Sequence, residues 1–241
     1  KVGIDYLQGD KSALLDIATE DRLGFTLSTK ISDRILLNGK IGVPVGGLEQ
    51  TLIVGNVQID FILNEEGSLK AKIFNKEQIK LLNETIQKNL IKGTDSPNKK
   101  AIKTSQVKFV RLLSIQKLIL PLMDFITTTN AHHYGFDLFH SAPSKVLNFN
   151  TYQPNEEYTW HIDASMHSAV RDIKLTCLLN CSEEEYQGGD LYLFRDGEVK
   201  IENFNPGSAV IFPSFTNHKV EKITSGSRAT LALWMDGPKF R

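Results

Sequence analysis

The stretch LNFNTYQPNEEYTWHID, residues 147–163, decides how this chain is read. It holds two short runs of β-forming residues on either side of Gln153-Pro154-Asn155, a turn signal. Its last four residues, Trp160-His161-Ile162-Asp163, place a histidine and a carboxylate two positions apart. On a strand these two side chains share a face and Ile162 points away. Similar runs recur on both sides. Strands are expected at 134–139, 145–152, 157–163, 172–180, 190–195, 198–204, 208–212, 217–223 and 228–235. Turn signals at Ala142-Pro143, Gly188-Gly189, Asp196-Gly197, Pro206-Gly207 and Ser225-Gly226 separate many of them. Short strands at this spacing read as a double-sheet jelly roll or barrel.

Helices are expected upstream. Asn75 can cap one, with Gln78 completing a capping-box pair. Ile79, Leu82, Ile86 and Leu90 then form one apolar stripe, and Gly93 is a natural stop. A second helix is expected from Ser114 to about Thr128, with Ile115, Leu118, Leu122 and Phe125 toward the core and a kink at Pro121. Residues 93–104 read as a polar, lysine-bearing loop. Helices before strands give an α+β chain, mainly β, with the helices packed on one sheet.

The first 70 residues differ. Gly39, Gly42, Gly46, Gly47 and Gly55 interrupt short runs such as Thr51–Val54 and Val57–Ile62, a pattern of short antiparallel strands. This β-rich segment carries no chemical motif. The expected division is therefore a segment of unknown role at 1–70 and a second domain at 71–241.

Composition narrows the function classes. The chain has 241 residues, 41% of them hydrophobic, and its 28 basic residues balance 28 acidic ones. Zero net charge argues against bulk electrostatic binding of nucleic acid or an anionic membrane. No apolar run reaches the roughly 18 residues a membrane helix needs. The longest, Leu118–Met123, is interrupted by Pro121. If their segment is a strand, Cys177 and Cys181 lie about 13 Å apart, beyond disulfide reach. Free thiols fit a reducing compartment, and the sequence as given opens on no signal-peptide pattern, so a cytoplasmic location is expected.

Of the six histidines, His132, His133, His140 and His167 stand without ligand-like company. His161 has Asp163, and His218 follows after Phe212-Pro213-Ser214. Two histidines and one carboxylate make the facial triad of non-haem Fe(II) oxygenases. His-x-Asp alone is equally the pattern of a surface ion pair. The downstream pattern adds weight. Arg228 lies ten residues after His218, and Thr230 shares its strand face. A buried Arg needs an anion, either a structural carboxylate or a bidentate dicarboxylate ligand.

These residues resemble a known family. The segment Tyr152–Trp234 is similar to the catalytic core of the Fe(II)/2-oxoglutarate dioxygenase superfamily, in its prolyl 4-hydroxylase-like branch, and within it to PKHD-type hydroxylases. The resemblance rests on Tyr152, His161-Ile162-Asp163, Leu175 to Asn180, Gly188-Gly-Asp-Leu191, Pro206-Gly207, Phe212-Pro213, His218, Arg228-Ala-Thr230 and Trp234. Residues Phe74–Tyr152 resemble the helical lead-in to that domain. One departure is Asn155, which stands where the family usually has a glycine. Asn tolerates the left-handed conformation the turn requires.

The resemblance implies a double-stranded β-helix, or jelly roll, with supporting N-terminal helices. It implies His161, Asp163 and His218 as iron ligands. Arg228 would hold the distal carboxylate of 2-oxoglutarate, with Thr230 and Tyr152 hydrogen-bonding the same cosubstrate. Tyr158 and Trp160 flank His161 and are candidates for pocket lining or core packing. The implied cofactors are Fe(II), 2-oxoglutarate and O2, with ascorbate as reductant. The implied reaction hydroxylates an unactivated C–H bond and releases succinate and CO2. Branch analogy makes the substrate peptidyl, of prolyl type. A small molecule or a nucleobase are alternatives, with nucleic acid disfavoured by the neutral charge. Two readings from other classes are a non-catalytic binding module on this fold and a zinc hydrolase, which would leave Arg228 without a role. Specificity would lie in loops 93–104, 140–146 and 164–171.

Overall fold

The structure is a computed structural model that divides into two compact units, Lys1–Ile62 and Leu63–Arg241. It describes the backbone of Val2–Leu7, Arg22–Ser32, Ile35–Pro44, Val54–Phe61 and residues 68–240 except 93–95, 98–102, 143 and 165–169. Side chains are described within 68–92, 103–142, 144–164 and 170–240. Gly46, Gly47, most of Thr51–Val54, His167 and most of loops 93–104 and 164–171 lie outside the described residues.

In the first unit, β1 (Val2–Leu7), β2 (Arg22–Ser32), β3 (Ile35–Pro44) and β4 (Val54–Phe61) form an antiparallel meander in chain order. Alternating β-branched residues in β4 account for its strand, as the sequence pattern predicts.

The second unit begins with β5 (Leu69–Lys72) and α1 (Lys76–Lys88). Asn75 and Gln78 cap α1 reciprocally, each side chain bonding the other's backbone N–H at 2.9 Å. Ile79, Leu82 and Ile86 are buried. The helix ends earlier than Gly93 predicts, at Asn89, because Leu90 bridges Val110 instead. After β6 (Ser96–Pro97) and β7 (Gln106–Arg111), the expected long helix is two: α2 (Leu112–Ile115) and α3 (Leu120–Thr129). Pro121 falls in the first turn of α3, where its missing N–H removes no helical bond, so it opens a helix rather than kinking one. Ile115 and Leu122 are buried as expected and Ile119, Met123 and Ile126 are buried with them, whereas Leu118 and Phe125 are half-buried.

The strand expected at 134–139 is absent. A π-helical turn, Asn130–Tyr134, ends at Gly135 in the left-handed region (φ 65°). The Asn130 side chain then bonds both the N–H and the carbonyl of Phe136, taking the place of a neighbouring strand.

The remaining strands are β8 (Val146–Tyr152), β9 (Tyr158–His161), β10 (Arg171–Asn180), β11 (Gln187–Gly188), β12 (Leu191–Phe194), β13 (Glu198–Lys200), β14 (Ser208–Pro213), β15 (Asn217–Val220), β16 (Ile223–Ser225) and β17 (Arg228–Pro238). The strand expected at 198–204 stops at Lys200, before Asn203 turns left-handed, and that at 217–223 divides into β15 and β16. The major sheet has the order β5-β14-β10-β17-β8-β7-β6, and the minor sheet β13-β12-β15-β9, both antiparallel.

One core lies between these sheets. Tyr152, Leu178, Val210, Phe212 and Ala232 from the major sheet pack with Leu191, Leu193 and Val220 from the minor one. Alternate major-sheet residues (Leu175, Cys177, Leu179, Leu231 and Leu233) are also buried, so that sheet is covered on both faces. Asn83 of α1 bonds the Cys181 carbonyl at 2.8 Å and Tyr134 the Ile211 carbonyl at 3.0 Å, tying the helical lead-in to this sheet. The result is the mainly-β jelly roll with N-terminal helices that the strand pattern predicts. No helix among the described residues is long and apolar enough to cross a membrane.

Candidate metal and cosubstrate site

His161 and His218 face each other across the minor sheet as register partners of β9 and β15. Their rings are 4.0 Å apart between centroids. Asp163 joins them, but not as strand alternation predicts. β9 ends at His161, and the N–H groups of Asp163 and Ala164 both donate to the Ser214 carbonyl at 3.0 Å. That turn carries Asp163 back beside the histidines. Its Oδ1 lies 3.8 Å from His161 Nε2 and its Oδ2 3.5 Å from His218 Nε2. One ligand atom from each of the three falls within 4.8 Å of the others.

The donor set fits a divalent metal. His161 Nδ1 lies 2.7 Å from the Thr159 carbonyl, and His218 Nδ1 3.0 Å from that of Thr216. A carbonyl only accepts, so each Nδ1 carries the hydrogen and each Nε2 keeps a free lone pair toward Asp163. Burial, and next the neighbouring His218 ring, hold His161 well below the usual imidazole pKa, which favours the neutral ligand form. Thr176 Oγ1, on the inner face of β10, donates to Asp163 Oδ2 at 2.8 Å and fixes the carboxylate's rotation. Two imidazole nitrogens and one carboxylate would hold a metal and leave its other positions to exchangeable ligands.

Arg228 lies deeper on the inner face of β17, opposite Tyr152 of β8. It is 1% exposed, and its Nε and Nη2 have no hydrogen-bond partner among the described residues. Its guanidinium carbon is 5.4 Å from the Tyr152 ring and 5.7 Å from that of Phe204. Aromatic faces attract the cation but leave its N–H donors unsatisfied. Gly189 makes room for this side chain: a Cβ there would sit 3.0 Å from Arg228 Cδ. A buried guanidinium with spare donors is suited to a carboxylate that arrives with a ligand. Thr230 is two residues along the same face, 3% exposed, between Asn150 and Asn180.

The two aromatic neighbours of His161 separate. The register between β15 and β9 steps from His218↔His161 to Val220↔Tyr158, three residues against two. This bulge turns Tyr158 onto the face of His161, where the rings stack at 3.4 Å. Burial pushes the Tyr158 hydroxyl up to about 12. Trp160 instead packs edge-on against Phe194. Asn155, standing in for the family's glycine, has φ 70°.

Two participants were not singled out from sequence. Thr176 is a polar residue within the apolar run 175–179, which is a usable signal. Lys103 gave none, being one of three lysines in a polar loop. It is 7% exposed, donates to Asn150 Oδ1 at 3.0 Å and stands 4.5 Å over the Tyr158 ring. Burial pulls its ammonium down to about 8, with the Asp163 charge opposing.

Residues 147–236 match a family model described as the 2OG-Fe(II) oxygenase superfamily. Residues 2–108, which take in most of the segment without a chemical motif, match a second model, the TamB C-terminal domain. The chain is similar to a PKHD-type hydroxylase of Acaryochloris marina (strain MBIC 11017), with 38% identity over 91 residues, 37% of this chain and 41% of the relative. The match therefore spans less than half of that relative. The fold is similar to that of a Pseudomonas putida prolyl-4-hydroxylase, with a TM-score of 0.56 and 20% identity over 72% of this chain and 94% of that one. It is also similar to a Trichoplax adhaerens prolyl hydroxylase in complex with a peptide fragment of the hypoxia inducible factor oxygen degradation domain. There the TM-score is 0.53 and identity 18%, over 72% of this chain and 84% of that one. The jelly roll, the triad and the family model coincide in one segment, so residues 147–236 are similar in sequence to the 2OG-Fe(II) oxygenase superfamily and to PKHD-type hydroxylases, on a fold shared with prolyl hydroxylases.

Proposed function

We propose that this chain is a 2-oxoglutarate-dependent dioxygenase that hydroxylates an unactivated C–H bond of a peptidyl, prolyl-type substrate. His161, Asp163 and His218 hold Fe(II). The bound metal, with 2-oxoglutarate and O2, supplies the oxidising power: one oxygen atom enters the C–H bond, the other enters succinate, and CO2 leaves. Arg228 anchors the distal carboxylate of 2-oxoglutarate, Thr230 and Tyr152 hydrogen-bond the cosubstrate, and Thr176 keeps Asp163 turned toward the metal. The apolar wall of Leu178, Val210 and Phe212 excludes water from the reacting centre. Ascorbate serves as reductant. The oxygenase domain is residues 71–241, with 1–70 as a separate segment and the whole chain cytoplasmic.

The observation that carries this reading is Arg228, a buried cation with two unpaired donors in the same barrel interior as the triad. A zinc hydrolase gives that residue no role. The peptidyl substrate is supported by the peptide complex of the Trichoplax adhaerens neighbour. The test is the full chain with Fe(II), 2-oxoglutarate and prolyl peptides, followed by mass spectrometry. A 16 Da gain matched by succinate is the expected result, lost in Arg228→Met. Succinate formation without modification of any prolyl peptide would replace the substrate class. No succinate formation and no Fe(II) binding would overturn the reaction.

A further inference from the structure

We propose that Lys103 is a positioning residue for the keto-acid end of the cosubstrate, holding the C1 carboxylate of 2-oxoglutarate beside the metal ligands. This rests on the cosubstrate reading above.

The placement of Lys103 follows from the backbone. It bridges Tyr158 at the open edge of β9, and Thr104 exchanges hydrogen bonds with Glu157 alongside. Three residues later the chain enters β7 and pairs with β8 of the major sheet. Lys103 therefore stands where the chain crosses from one sheet to the other, and its side chain reaches Asn150 on β8.

Asn150 and Tyr152 lie two apart on β8, opposite Thr230 and Arg228. Lys103 and Arg228 thus mark two stations along one inner face. They differ in what they face. Arg228 is flanked by Tyr152 and Phe204. The Lys103 ammonium lies 4.5 Å over the Tyr158 ring, whose other neighbour is the His161 ring stacked at 3.4 Å.

Burial makes this ammonium costly where it stands. It is 7% exposed, it donates to a neutral amide oxygen, and no carboxylate among the described residues lies within ion-pair distance. An ammonium has three donors, so up to two remain for a ligand. A dicarboxylate spanning from Arg228 to the metal brings one negative charge to each cation. The C1 carboxylate of a bidentate keto acid uses one oxygen on the metal and leaves the other as an acceptor.

The test is calorimetric titration of the Mn(II)-loaded full chain with three ligands: 2-oxoglutarate, 2-oxopentanoate, which lacks the distal carboxylate, and 4-oxopentanoate, which lacks the C1 carboxylate. Lys103→Met is expected to weaken 2-oxoglutarate and 2-oxopentanoate by the same factor, about 10- to 100-fold. It should leave 4-oxopentanoate and Mn(II) affinity unchanged, and Lys103→Arg should recover part of the loss. The ligand-free Lys103→Met chain should melt no lower than the parent, since it loses a buried charge. Unchanged 2-oxoglutarate affinity in Lys103→Met overturns the assignment, as does equal weakening of all three ligands with a lowered Tm, which marks a structural lysine. If the parent chain with Mn(II) binds no 2-oxoglutarate at all, the cosubstrate reading itself falls, and this assignment with it.

Discussion

Thr176 donates its hydroxyl hydrogen to Asp163 Oδ2 at 2.8 Å, linking the centre of β10 to the turn that follows β9. The same oxygen lies 3.5 Å from His218 Nε2, so the bond holds the carboxylate in the rotation that faces both imidazoles. Thr176→Val keeps the shape and removes the donor. Metal affinity is expected to fall about 10- to 100-fold, the usual loss when an outer partner of a ligand is removed. Valine suits a buried strand, so the Tm should hardly move. Titration with Mn(II) checks it, and an unchanged affinity would show that the turn alone orients Asp163.

Asn155 occupies the left-handed region at φ 70°, and its N–H donates to the Ile223 carbonyl at 2.8 Å. The turn it makes sets the approach of β9, and hence of His161. Asn155→Gly relieves the conformation but loosens the unfolded chain, so stability should change by under about 1 kcal/mol. Asn155→Val puts a β-branched side chain at positive φ and should cost about 1–2 kcal/mol. Urea unfolding of the two variants measures the difference. Equal stability of the valine and glycine variants would mean that the turn relaxes without strain.

Much of this site is legible in the chain because ligand identity is carried by residue type. His161, Asp163 and His218 converge whatever detail of backbone brings them together. The detail is another matter. Strand alternation groups Tyr158 with Trp160, yet a one-residue bulge in β9 sends Tyr158 to His161 and Trp160 to Phe194. A bulge leaves no composition signal when its residues are ordinary strand formers. Pro121 carries an ambiguous signal for a different reason, since proline either kinks a helix or begins one, and only the packing of Ile119 and Met123 decides. Lys103 is silent because burial of a loop lysine depends on a crossing between sheets, a long-range event that local sequence does not encode.

Cys177 and Cys181 are both fully buried and unpaired. Burial pushes both thiols up, Cys181 to about 12, so neither supplies thiolate at neutral pH. A thiol-specific disulfide reagent at pH 8 should therefore leave the folded chain unmodified and should titrate two thiols once denaturant unfolds the second unit. Rapid modification of folded protein would show that β10 opens locally or that the thiols are reachable.

The buried Lys103 ammonium has a signature in the ligand-free chain as well. Its folded pKa is about 8, against an ordinary lysine value of 10.5. Between those values the unfolded chain keeps a proton on this side chain that the folded chain has released. Stability linked to this group therefore rises as pH increases from about 8 toward 10.5, with a slope of at most about 1.4 kcal/mol per pH unit. Below the folded pKa both states are charged, and the full burial penalty acts against folding. Lys103→Met removes the penalty and the slope together. The difference in unfolding free energy between the variant and the parent should thus favour the variant at pH 7 and shrink steadily from pH 8 to pH 10. Taking that difference cancels the tyrosines and other lysines that titrate in the same range. Denaturant melts at half-unit pH intervals measure it, and a difference that stays constant with pH would mean that Lys103 is solvated in the folded chain.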